Sequence, residues 1–92
     1  MRFEFDPRKS RALKRNPRRG ISLKEAESLW EHPHAIDQCS EFPEQFRAIG
    51  WVGHRLITVI FEIRDDGDGE YYWSVTLWRA TREERLLYEE NI

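Results

Sequence analysis

Residues 45–88 read QFRAIGWVGHRLITVIFEIRDDGDGEYYWSVTLWRATREERLLY, and the punctuation of this stretch decides the fold. Three runs rich in β-branched and aromatic residues, Gln45–Val52, Leu56–Arg64 and Glu70–Arg79, are separated by Gly53-His54 and by Asp65-Asp66-Gly67-Asp68-Gly69. Strand-forming runs broken by Gly and Asp turns are the signal of consecutive antiparallel hairpins. The third run passes into Thr81-Arg82-Glu83-Glu84, where Thr81 and Glu84 have the spacing of a capping box. A closing helix is therefore expected, offering Leu86, Leu87 and Tyr88 to the core.

Alternation by two sorts the strand faces. Ile57, Val59, Phe61 and Ile63 form one apolar face of the middle strand; Leu56, Thr58, Ile60, Glu62 and Arg64 form a mixed one. A regular third strand puts Tyr71, Trp73, Val75 and Leu77 on one side and Tyr72, Ser74, Thr76 and Trp78 on the other. Helices are expected on one sheet face, with the other partly wet, aromatic and Arg-bearing. Such a face suits a strand of RNA or a partner protein.

Outward toward the N-terminus, Ala35–Glu44 reads as an irregular acidic connector. Before it, Ser22-Leu23-Lys24-Glu25 is a second capping box, and Ile21 can staple onto Ala26. Leu23, Ala26, Leu29 and Trp30 follow on one helical stripe that His32-Pro33 ends. Asp6-Pro7 opens a first helix, with Asp at the N-cap and Pro at the first helical position. That helix runs to about Arg15, with Ala12 and Leu13 its main apolar residues, and Asn16-Pro17 stops it. Arg2–Phe5 suits a short strand. The fold class expected is α+β: an antiparallel β-meander with two N-terminal helices and a C-terminal helix.

Ninety-two residues make a single domain with a modest core. The four Trp, three Tyr and five Phe supply much buried area from few positions. One cysteine, Cys39, excludes an internal disulfide and a Cys-based zinc site, and it fits a reducing compartment. No apolar run is long enough to span a bilayer and the start lacks a signal-peptide core, so a cytoplasmic protein is expected. The net charge of −2 hides an asymmetry: residues 1–24 hold nine Lys and Arg against Glu4 and Asp6, whereas the remainder holds six Arg against fifteen Asp and Glu. A basic block on an acidic body suits a polyanion or an acidic partner, or is simply a solvated helix face.

Metal chemistry finds little support. His32, His34 and His54 lack regular ligand partners, and the acidic turn before Glu70 is shorter than an EF-hand loop. No phosphate-binding glycine loop or nucleophile elbow occurs, and Cys39 lies among acidic residues that disfavour a thiolate. Arginine remains. Arg47 lies in the first meander strand, Arg79 ends the third, and Arg82 and Arg85 follow in the helix. Guanidinium forks match phosphate oxygens and stabilise charge that develops on them. Glu84 can take a proton from a 2′-hydroxyl or serve only as a helix cap. Arg85 and Glu89 can equally form an ordinary i,i+4 surface pair.

Phe3-Glu4-Phe5-Asp6, then Lys9, then Gly20-Ile21-Ser22 with Glu25-Ala26, then Arg47 with Gly50, then Arg79-Ala80-Thr81 with Glu84-Arg85 and Tyr88 form an ordered set that resembles the BrnT toxin family over nearly the whole chain. The resemblance implies a RelE-like fold and metal-independent RNA cleavage, without a cofactor, by 2′-hydroxyl attack on the adjacent phosphate. It also implies a ribbon-helix-helix antitoxin similar to BrnA, in a complex that represses its own operon. Carried onto this chain, the catalytic set is Arg47 and Arg85 on the phosphate, Glu84 as acid/base or orienting group, and Arg79 assisting. Lys9, Arg11, Lys14, Arg19, Trp78 and Arg82 would bind substrate, while the basic first helix tracks RNA or docks the antitoxin. Two positions differ from the family pattern: Arg19 replaces the His of its Lys-His-Gly, and Trp78 stands where an active-site arginine is expected. They motivate an alternative, a catalytically weakened protein kept as an antitoxin-binding co-repressor.

Overall fold

A computed structural model describes all 92 residues. The strands are β1 (Arg2–Phe5), β2 (His34–Glu41), β3 (Glu44–Val52), β4 (Arg55–Asp65) and β5 (Glu70–Arg79); the helices are α1 (Pro7–Arg15), α2 (Leu23–Ala26), continued by a 3₁₀ turn over Glu27–Glu31, and α3 (Arg82–Asn91). They form one mixed sheet in the order β1-β5-β4-β3-β2. Strands β2 to β5 make an antiparallel meander, and β1 adds parallel to β5 with Phe3 opposite Tyr72.

The segment expected as an irregular connector is an edge strand. Ile36 pairs with Ala48 and Asp37 with Arg47, and the strand turns into β3 through a cis Phe42-Pro43 bond. Its polar, acidic composition hid it: an edge strand is covered little, so its sequence lacks the apolar alternation of an inner strand.

A β-bulge corrects the face assignment of β5. Ile60 pairs with Thr76 but Phe61 with Ser74, leaving Val75 as an extra residue. One inserted residue switches every side chain beyond it to the other face. Tyr72 and Ser74 thus share the helix-covered face with Leu77 and Arg79, while Tyr71 and Trp73 share the open face with Thr76 and Trp78.

The core lies between the sheet and the N-terminal helices. Leu13, Leu23, Ala26 and Leu29 pack on Ala48, Ile57, Val59, Phe61 and Leu77. Asp6 caps α1 and Ser22 forms the expected capping box with Glu25, so both helices start where their side chains satisfy free backbone N–H groups. The buried Ser10 hydroxyl accepts from the Lys24 N–H at 3.3 Å and ties α1 to α2. Of the two main apolar residues of α1, Leu13 is buried and Ala12 exposed, because the short helix buries only the Ser10 and Leu13 line. Gly50 is a close-approach position: a Cβ there would stand 3.0 Å from Leu29 Cγ and 3.2 Å from His34 Cβ.

Helix α3 covers part of the opposite face. Its buried residue is Glu84; Leu87 and Tyr88 are half-buried, and Leu86 is half-exposed rather than in the core. A polar anchor thus holds α3, not an apolar stripe. No helix is long and apolar enough to cross a membrane.

Candidate functional site

The arginines singled out in the sequence separate onto two sheet faces. On the open face Arg47 and Glu84 meet, with Arg47 Nη1 3.4 Å from Glu84 Oε2. Asp37 on β2 takes most of the same guanidinium, accepting from Nε at 2.8 Å and from Nη2. Those bonds to Asp37, reinforced by Glu84, push the Arg47 pKa further above its ordinary value.

Glu84 is saturated as well. It accepts from the Thr58 hydroxyl at 2.9 Å, the Trp78 indole N–H at 3.0 Å and the Thr81 backbone N–H at 2.9 Å, besides Arg47. Burial alone would raise its pKa, but the Thr81 N–H, the Trp78 and Thr58 donors and the Arg47 charge outweigh it and leave the group lowered. Glu84 is an ionised staple joining α3 to β3, β4 and β5. Trp78, expected to touch substrate, supplies one of its donors. A carboxylate with a lowered pKa and every near neighbour donating is poorly placed to accept another proton.

Arg85 lies over the Trp51 ring at 5.3 Å, on α3 but outside this network. Arg82 is exposed in the first turn of α3, and Lys9 and Arg11 are exposed on α1. None of Lys9, Arg11 and Arg82 bonds a carboxylate.

Arg79 belongs to the other face. It pairs with Ile57, and its Nη2 reaches 4.0 Å from the point where a Cβ on Gly20 would stand. Arg55 Nη1 lies 3.5 Å from the same point and donates to the Gly20 carbonyl at 3.4 Å. Gly20 closes the turn after α1: the Asn16 carbonyl accepts from the N–H groups of Arg19 and Gly20, and the Asn16 side chain accepts from that of Arg18. Its φ of +64° is a left-handed conformation that glycine adopts freely.

Between this turn and the β3–β4 hairpin opens a cleft of about 410 Å³, lined by Lys14, Gly20, Glu25, His54 and Arg55 among others. Lys14 reaches Glu25 at 2.9 Å, and that hydrogen bond, with the Ser22 backbone N–H, holds the Glu25 carboxyl below its ordinary range. Arg55 and Arg79 have no carboxylate partner. Arg55, the exposed His54 imidazole and the Lys14–Glu25 pair therefore line one concave space, and Arg79 approaches it at Gly20. The half-buried Arg19 follows α1 and is not among the lining residues.

Sequence reasoning missed His54 and Arg55 as site residues because they read as turn and strand start. A signal existed: Arg55 shares the face of Ile57 by alternation, and Ile57 faces the end of β5 where Arg79 lies. No group of three His, Cys, Asp or Glu side chains is placed to hold a metal ion. No protein-family model matches the chain, and no curated protein matches it at a significant level of similarity.

Proposed function

We propose that this protein is a metal-independent endoribonuclease toxin with a RelE-like arrangement, held by a ribbon-helix-helix antitoxin similar to BrnA and acting at the cleft beside Gly20. The observation that carries the reading is the pair Arg55 and Arg79, which converge on Gly20 without a neutralising carboxylate. A cleft with spare positive charge suits a phosphodiester, because fixed guanidinium donors gain most where charge develops during the reaction.

The chemistry assigned is transesterification. The 2′-oxygen attacks the adjacent phosphorus, the P–O5′ bond breaks, and a 2′,3′-cyclic phosphate and a 5′-hydroxyl result. Arg55 and Arg79 hold the non-bridging oxygens. An imidazole has one ring nitrogen that accepts and one that donates a proton, so His54 takes the proton from the 2′-hydroxyl or returns one to the leaving 5′-oxygen. The exposed Arg8, Arg11 and Arg15 of α1 extend the charge beyond the cleft and track the RNA backbone. Arg47 and Glu84 hold α3 in place in this reading.

The test is inducible expression in bacteria without any partner, following growth and total RNA. Arg55→Ala and Arg79→Ala should each lower RNA cleavage by about 100-fold, the scale of one lost transition-state donor, with unfolding unchanged. Growth arrest as severe as wild type in both variants would remove the cleft from the mechanism. A second reading, a weakened toxin acting as a co-repressor, draws on the engagement of Trp78 with Glu84 and of Arg47 with Asp37. It predicts normal growth on expressing the wild-type chain alone, with tight antitoxin binding retained.

A further inference from the structure

The helix-covered face of the sheet is not fully covered. The N-terminal helices shield the end of the sheet that holds Val52, Ile57 and Leu77. Toward the other end, where β2 turns into β3 and β4 into β5, the same face carries Phe46, Ile63 and Tyr72, with Trp30 in the 3₁₀ turn; on the β2 edge Ile36, in the row of Ala48, Val59 and Leu77, is one step from Phe46. Ile36 is 47% exposed and Ile63 40%, and the three aromatic residues are half-buried. The aromatic residues are joined: Trp30 and Tyr72 rings are 5.1 Å apart, and beneath them the buried Phe61 stacks with Phe46 and meets Tyr72 at a tilt, 4.6 Å away.

The rim of this surface is acidic. Glu41 and Glu44 end the β2–β3 hairpin, Asp65 and Glu70 face each other across the β4–β5 hairpin, and Glu31 ends the 3₁₀ turn. All five are exposed, and none is neutralised by a Lys or Arg. The nearest arginines in register, Arg2 and Arg64, lie on the open face, over the rings of Tyr71 and Trp73. An apolar centre with a single-sign rim specifies an occupant of opposite sign.

We infer that this surface docks an amphipathic helix of a partner protein, with Leu- or Ile-type residues on one side and Lys or Arg flanking them. Such a helix would continue the layer that α1, α2 and the 3₁₀ turn begin on this sheet face. A second copy of this chain does not fit. Two acidic rims would face each other, and the chain's own basic helix α1 exposes Ala12 but buries Leu13, so it has no apolar stripe to offer. Nucleic acid is repelled by the same rim. The inference goes beyond the ribonuclease reading and does not depend on it.

The experiment is selection from a displayed library of randomised helices, each about 16 residues long and thus about four turns, against the folded wild-type protein. The expected outcome is enrichment of sequences with apolar residues at i, i+3, i+4 and i+7 and Lys or Arg beside them. Affinity for the selected peptides should fall at least about tenfold in Ile36→Glu and Ile63→Glu, a loss of about 1.4 kcal/mol. The charge-reversed triple variant Glu44→Lys, Asp65→Lys, Glu70→Lys should instead enrich acidic helices, which guards against misfolding in the isoleucine variants. The inference fails if no helix is enriched, if enrichment is indifferent to charge, or if binding ignores Ile36 and Ile63. Concentration-dependent dimers lost on Ile63→Glu would overturn it in favour of a second copy. RNA cleavage plays no part in these readouts, so their failure leaves the cleft reading intact.

Discussion

Arg47 and Arg79 lie two strands apart on opposite faces of one sheet, and their surroundings differ in the feature that matters most for binding a phosphate. Arg47 is enclosed by Asp37 and Glu84, so its charge is spent inside the protein. Arg79 stands beside Gly20, as Arg55 does, and neither guanidinium forms a salt bridge with a carboxylate. The first pair of elements, β3 and α3, gains a clamp; the second keeps two guanidinium groups with no salt-bridge partner. Counting arginines along a chain therefore says little until the acids that neutralise them are placed. A guanidinium already bound to two carboxylates must lose one before it can take a phosphate, whereas a free one is ready.

The largest effect that tests this contrast is loss of the clamp. Glu84→Ala leaves the Thr58 hydroxyl, the Trp78 indole, the Thr81 N–H and one side of Arg47 without their acceptor. Removing one member of a buried charged network costs about 3 kcal/mol, measured as a lower urea midpoint, with α3 the first element to lose amide protection. If Glu84→Ala kept wild-type stability yet abolished RNA cleavage, the roles of the two faces would be reversed.

A smaller effect comes from acid. Glu84, Glu62 and Glu25 all have pKa values lowered in the folded protein. The unfolded chain therefore binds more protons in acid, and the stability these groups contribute is present above their ordinary value of 4.5 and is lost as pH falls through the folded values. Urea midpoints should stay level near neutrality and decline below about pH 4.5. Glu84→Gln, which keeps the shape but cannot ionise, should lose stability at neutral pH and show a shallower acid decline. An acid limb as steep as wild type would mean that Glu25 and Glu62 carry the linkage instead.

Much of the architecture is legible in the sequence. The Gly53-His54 turn, the acidic Gly-containing turn and the Ser22 and Thr81 capping boxes are local devices, and each stands where the residues put it. What stayed hidden was non-local. Strand β2 looks like a connector because an edge strand needs only β3 for its hydrogen bonds. The bulge at Val75 leaves no mark in a run of alternating residues, yet it decides which of Tyr72 and Trp73 is inside. The same blindness affected the candidate site. Glu84 was readable as a cap from its spacing to Thr81, but its bonds to Thr58, Trp78 and Arg47 join four elements. Arg55 came near Arg79 only through the register of β4 and β5.

The smallest change concerns the cleft itself, and it separates strain from function. Gly20 has φ +64° and Gly67, in the acidic turn at the far end of the sheet, has φ +94°. An alanine at either position meets the same kind of left-handed penalty, about 1 kcal/mol, so Gly20→Ala and Gly67→Ala should lower stability by similar small amounts. Their surroundings differ. A Cβ on Gly67 meets nothing within 4 Å, whereas one on Gly20 stands 3.5 Å from Arg55 Nη1 and 4.0 Å from Arg79 Nη2. Those contacts are ordinary in length, so the fold tolerates the methyl group. It would nonetheless occupy space beside two guanidinium groups where, in the proposed mechanism, a phosphate oxygen enters. Gly20→Ala should therefore lower RNA cleavage by about tenfold, some 1.4 kcal/mol of transition-state binding, while Gly67→Ala cleaves like wild type. Equal cleavage by the two variants would place the reacting phosphate away from Gly20, even if Arg55 and Arg79 both proved necessary, and would move the search outward along the exposed arginines of α1.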